Sequence, residues 1–110
     1  MSRRALFLIL LVGAAACGSD VDDRPVSWNY IYAAIVLPNC TRAACHSALT
    51  RTAMQNFEDK GLARESMKTV DTLNMLRGER VDFLRMPPDQ PLPNADIDLI
   101  ERWQDAGLPD

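Results

Sequence analysis

The stretch of this chain whose residue types and spacing can do chemistry is Cys40-Thr41-Arg42-Ala43-Ala44-Cys45-His46. Its histidine is the only one in 110 residues and directly follows a cysteine; another cysteine lies five positions before that one. A Cys-His pair after an upstream Cys suits covalent attachment of a c-type haem. Two thiols add across the vinyl groups as thioethers, and the next residue sets an imidazole under the iron. The commoner form of this attachment is Cys-x-x-Cys-His. Here four residues intervene, so the Cys45-His46 junction is kept and the link back to Cys40 must bulge outward.

An axial histidine leaves one coordination position of the iron for a second ligand. Met86 stands forty residues downstream, where Met86-Pro87-Pro88-Asp89-Gln90-Pro91-Leu92-Pro93 opens a stiff loop holding four of the seven prolines. Proline fixes φ and offers no N–H, so this stretch reads as an extended segment that can present a thioether without a helix behind it. Met54, Met67 and Met75 sit in helical patterns and read as gap-filling core residues. With His46 and Met86 on the two axial positions no site is left for substrate, which favours outer-sphere electron transfer. A His/Met pair also raises the reduction potential.

Three other readings use the same residues. A Cys40–Cys45 disulfide would staple a structural or interaction protein, but accounts for neither His46 nor the Met-Pro-Pro loop. A zinc site from Cys40, Cys45 and His46 lacks a fourth Cys or His. A peroxidase-like haem enzyme would leave the distal position open.

The elements that must position these residues read as helices. Ser27 caps a helix starting at Trp28; Trp28, Ile31, Tyr32, Ile35 and Val36 share one face, and Pro38 is expected to stop it. A second helix is expected over 50–60, with Gly61 as its stop. A third is expected over 66–77, with Met67, Val70, Leu73 and Leu76 as its stripe and Gly78 closing it. The last takes Asn94 as cap, Ile97, Ile100 and Trp103 as its face and Gly107 as stop. Trp28 and Trp103 are assigned to a helix–helix contact. The fold class is therefore all-α. A domain this small often needs a staple, a metal or a cofactor to complete its core.

The N-terminus reads as an address. Arg3 and Arg4 precede an apolar and small-residue run over 5–16, too short for a bilayer core, which needs about 20 helical residues. The run has the length of a signal-peptide h-region and ends Gly13-Ala14-Ala15-Ala16-Cys17, which looks like a bacterial lipobox with Cys17 as the lipidated residue; the alternative is an ordinary secretory signal cleaved near Ala16 that leaves Cys17 as an odd thiol. The expected organisation is a signal peptide over 1–16, a lipidated polar tether over 17–25 and one domain over 26–110. The full chain carries 12 basic and 15 acidic residues; loss of the first sixteen removes Arg3 and Arg4 only and leaves a charge of −5. Such a chain lacks the basic face of a nucleic-acid binder. The expected partners are the membrane, through the lipid anchor in the cell envelope, and a redox protein with a basic docking face.

Over Val26 to Pro109 the chain resembles the small monohaem cytochrome c-like domains with a Cys-x4-Cys-His haem site found in secreted bacterial proteins and lipoproteins. The resemblance is carried by Pro38-Asn39-Cys40, Cys45-His46, Leu76-Arg77-Gly78, Met86-Pro87-Pro88, Pro91-Leu92-Pro93 and Ile97…Ile100…Trp103…Gly107-Leu108-Pro109. It implies N- and C-terminal helices that cross around one covalent haem c. It assigns Cys40 and Cys45 to the thioether bonds, His46 to the proximal and Met86 to the distal position. Arg77, Arg80 and Arg85 lie near the methionine loop, where they would either neutralise haem propionates or serve as solvated surface charge. The chain departs from the family after His46, where a Gly-rich segment is usual and Ser47 to Gly61 is polar.

Overall fold

The computed structural model describes residues 21–110, and every regular element among them is helical. The signal segment and Cys17 lie outside the described residues. The first helical rod is built from α1 (Trp28–Ile31), a π-helical segment (Tyr32–Val36) and α2 (Leu37–Cys40). Ser27 caps it as expected: its backbone is extended and its hydroxyl accepts from the Tyr30 N–H at 3.2 Å. All five residues of the predicted face are buried.

Pro38 does not stop this rod, which continues to Cys40. The wide π turn just before the proline supplies the reason. Leu37 N–H bonds back to the Tyr32 carbonyl rather than to the one four residues earlier, so the ladder is already shifted where the proline lacks its donor. Asn39 Nδ2 then donates to the Ile35 carbonyl at 2.7 Å and satisfies one group that the irregular turn would otherwise leave open. The result delivers Cys40 on the last helical residue, 7% exposed.

The helix expected over 50–60 is absent, and only a 3₁₀ turn, Thr52–Met54, forms there. Arg51, Ala53 and Met54 all adopt positive φ, which breaks any helical run. Met54 is therefore 93% exposed on a loop, not a core filler. Gly61 is not a stop but lies in the first turn of α3 (Lys60–Met67), which Asp59 caps through the Leu62 N–H. The helix expected over 66–77 is divided by Thr69, whose side chain accepts from the Thr72 N–H and starts α4 (Val70–Arg77) afresh. That break carries Val70 off the stripe, leaving it 68% exposed, while Met67, Leu73 and Leu76 are buried. Gly78 ends α4 in the left-handed region, and the Glu79 and Gly78 amides close on the Asn74 and Met75 carbonyls as a Schellman motif.

The last element is α5 (Asn94–Asp105). Pro93, not Asn94, takes the cap position, and its carbonyl accepts from the Asp96 and Ile97 amides. Gly107, at φ 88°, ends it with a second Schellman pair onto Trp103 and Gln104. Ile97, Ile100 and Trp103 are buried as predicted, joined by Leu99. Trp28 and Trp103 stack with centroids 5.1 Å apart. One acceptor, the Pro109 carbonyl, takes both the Trp28 amide and the Trp103 indole N–H, each at 2.8 Å. α5 is tied to its neighbours by polar contacts as well. Gln104 Nε2 donates to the Met67 and Thr69 carbonyls at the end of α3, and Arg77 of α4 pairs with Glu101 at 2.7 Å and Asp98 at 3.2 Å. Arg24 reaches Asp22, Asp96 and the Ala95 carbonyl, and Arg102 closes onto Asp22. The chain just before the domain is thus clamped onto α5. The Arg24 hydrogen bonds hold the Asp22 carboxyl down at about 2.

Candidate functional site

Cys40, Cys45, His46 and Met86 line one cavity of about 450 Å³, within the range of about 300–1,000 Å³ typical of cofactor pockets. Its wall is mainly apolar and is completed by Phe57, Met67, Met75 and Leu76. The four residues come from three places: the end of the first rod, the loop that follows, and the proline-rich loop before α5. Helix packing alone does not require their convergence.

The cysteine loop is held by its own backbone. The Cys45 amide donates to the Arg42 carbonyl at 2.8 Å and forms the outward turn that the long spacing demanded. The His46 amide donates to the Cys40 carbonyl at 3.0 Å, bringing the two ends of the motif together. The Phe57 amide donates to the His46 carbonyl at 2.7 Å, and the Phe57 ring lies 4.6 Å from the imidazole. Tyr32, in the π segment, donates its hydroxyl to the Phe57 and Glu58 carbonyls at 3.0 and 2.7 Å, so the first rod anchors the segment that backs His46.

The His46 ring has one decisive contact, Nδ1 at 2.8 Å from the Thr52 carbonyl. A carbonyl can only accept, so Nδ1 carries the proton and Nε2 keeps its lone pair. A backbone bond of this kind fixes both tautomer and ring orientation in metal-ligating histidines. The carbonyl comes from the turn in which Arg51, Ala53 and Met54 hold left-handed backbone. Non-glycine residues there cost of order 1 kcal/mol each, and such strain concentrates at functional sites.

Cys40 and Cys45 are both free thiols. Burial, with the neighbouring Cys45 adding to it, pushes the Cys40 thiol up to about 12, so it is protonated and unreactive at neutral pH. Met86 is held through its amide, which donates to the Met75 carbonyl at 3.3 Å, and its side chain packs against the core. The Met86–Pro87 bond is cis.

The three arginines near the loop divide. Arg77 is taken up by Asp98 and Glu101, and Arg80 pairs with Asp71 and Asp82 while covering Phe83 at 4.2 Å. Arg85 crosses Gly78 and donates Nε to the Leu76 carbonyl at 3.0 Å. A Cβ on Gly78 would stand 3.1 Å from Arg85 Cδ, so that glycine is needed for close approach as well as for its positive φ.

Sequence reasoning missed three contributors. Thr52 acts through its backbone, which carries no residue-type signal. Phe57 lay inside an expected helix. Met75 was assigned to the core but lines the cavity beside Met86 and Met67. Among the described residues no group of three or more His, Cys, Asp or Glu side chains is arranged to hold a bare metal ion, so a zinc centre has no donor set here. An imidazole, two thiols and a thioether line one mainly apolar cavity. Comparison with protein-family models, curated proteins and solved structures finds no match to this chain.

Proposed function

We propose that the chain is a membrane-tethered electron carrier of the cell envelope with one covalent haem c, in a cytochrome c-like arrangement of its helices. The observation that carries this reading is the His46 tautomer. A ring whose Nδ1–H is committed to a backbone carbonyl keeps Nε2 free to act as a ligand, and His46 lines the same cavity as Cys40, Cys45 and Met86. In this reading Cys40 and Cys45 hold the group covalently, His46 is the proximal ligand and Met86 the distal one. Haem supplies a reversible one-electron couple when bound. His46 and Met86 would hold such a group from the protein, and Phe57, Met67 and Leu76 would line its apolar surroundings. Lipid on Cys17 provides the anchor; no helix among the described residues is long and apolar enough to cross a membrane. The net negative charge, increased by the propionates, favours a redox partner with a basic docking face.

Expression of the full chain with a haem-maturation system tests the proposal. The expected product has a Soret band that survives denaturation, the mass of one haem added, and a low-spin ferric spectrum. Met86→Ala should keep the haem and lose the low-spin character, whereas Met75→Ala should keep both. A folded product without a Soret band, with a Cys40–Cys45 bond by mass analysis, would instead establish a disulfide-stapled structural lipoprotein. High-spin ferric haem in the wild type would indicate an open distal site and a peroxidase-like enzyme.

A further inference from the structure

Pro87 and Pro88 follow Met86 directly and have no amide hydrogens, so the backbone beside the thioether cannot be held by its own donors. The loop has to be fixed at its flanks. On the N-terminal side, the Met86 amide reaches the Met75 carbonyl and Arg85 reaches the Leu76 carbonyl. On the C-terminal side, Arg42 donates to Gln90 Oε1 at 2.8 Å and pairs with Asp89 at 3.5 Å. Arg42 stands in the turn between the two cysteines. Its own carbonyl is bonded by Cys45, and Thr41 beside it is tied to the Leu37 carbonyl at 2.5 Å. The backbone beneath its side chain is therefore fixed at both ends of the motif. The shorter Cys-x-x-Cys link lacks two of the residues that make this outward turn.

We infer that Arg42 is a positioning residue for the distal ligand, and that the lengthened cysteine spacing serves to carry it across to the Met86 loop. This rests on the haem reading above. The cysteine loop and the methionine loop are then one mechanical unit, joined by a guanidinium that binds an amide oxygen and a carboxylate together. A lysine, a point charge without the planar fork, would not make both contacts in the same geometry.

The test uses the haem-loaded full chain and imidazole as a competitor for the Met86 position, followed by absorbance. Arg42→Ala and Gln90→Ala should each tighten apparent imidazole binding by about three- to tenfold, the scale of one exposed charged hydrogen bond. The double variant should do no more than Arg42→Ala alone, and Arg42→Lys should recover less than half of the effect. Urea stability of the haem-free forms should change little, which separates positioning from bulk stability. Unchanged imidazole binding in Arg42→Ala overturns the inference while leaving the haem reading intact. A second measurement does not need haem: in the haem-free chain, Arg42→Ala should speed hydrogen exchange at the Met86 amide, which the loop donates to the Met75 carbonyl, at least about threefold, the lower end of the same scale. Unaltered exchange there also overturns it, whatever the protein binds.

Discussion

The two ends of this small domain are built on different terms. Around α1 and α5 the chain closes on itself. Trp28, Ile31, Ile97, Leu99, Ile100 and Trp103 are at most 2% exposed, both helix ends are capped, and one carbonyl at Pro109 locks the stacked indoles. Around the cysteine and methionine loops it does not. There the backbone is irregular and partly left-handed, a cavity of about 450 Å³ stays open, and Phe83 and Leu84 are 53% and 73% exposed. The contrast shows where the stability of the bare chain lies.

Breaking the closed end should have the largest effect. Trp103→Ala removes the stacked ring and one of the two donors to Pro109, and should destabilise the haem-free domain by about 3–5 kcal/mol in urea titration, enough to leave a domain this size largely unfolded. His46→Ala, at the open end, should change that figure by less than about 1.5 kcal/mol, the scale of one hydrogen bond, while abolishing low-spin haem. Next comes pH. The Cys40 thiol, ordinarily at 9.0, is raised by burial to about 12 in the fold. The unfolded chain thus loses this proton first, so the stability present below pH 9 should decline as pH rises towards 12, by at most about 4 kcal/mol. Cys40→Ala should flatten this alkaline limb, and so should haem attachment, because a thioether has no proton to lose. Tyr32→Phe is smaller, about 1–2 kcal/mol, since it deletes the donor to the Phe57 and Glu58 carbonyls. Its signature should be faster hydrogen exchange at Phe57 rather than in α5. Smallest and opposite in sign, Ala53→Gly should stabilise the haem-free chain by about 0.5–1 kcal/mol by relieving a left-handed alanine, measured by the same urea titration.

What the sequence made legible follows the same division. The stripe from Trp28 to Val36, the stops at Gly78 and Gly107 and the tryptophan contact are set by periodicity and by residues with a single local meaning. Pro38 misled because a π turn had shifted the hydrogen-bond ladder before it, and no residue type announces such a turn. Thr69 reads as helix interior, because the apolar spacing on either side of it runs on as though the helix were continuous. The residues of the candidate site were found because cysteine, histidine and methionine are chemically distinctive. The Thr52 carbonyl that sets the histidine tautomer was not, because backbone groups are identical in every residue.

The clamp of Asp22 and Arg24 on α5 has a consequence for reach. If Cys17 carries lipid, only four residues lie between the anchor and the clamped Asp22, a span of at most about 17 Å. Such a leash is too short for the domain to forage far from the bilayer. On the proposed electron-carrier reading, exchange would be confined to a thin layer at the lipid face, and a soluble shuttle or a neighbouring membrane complex would have to come within that layer to be served.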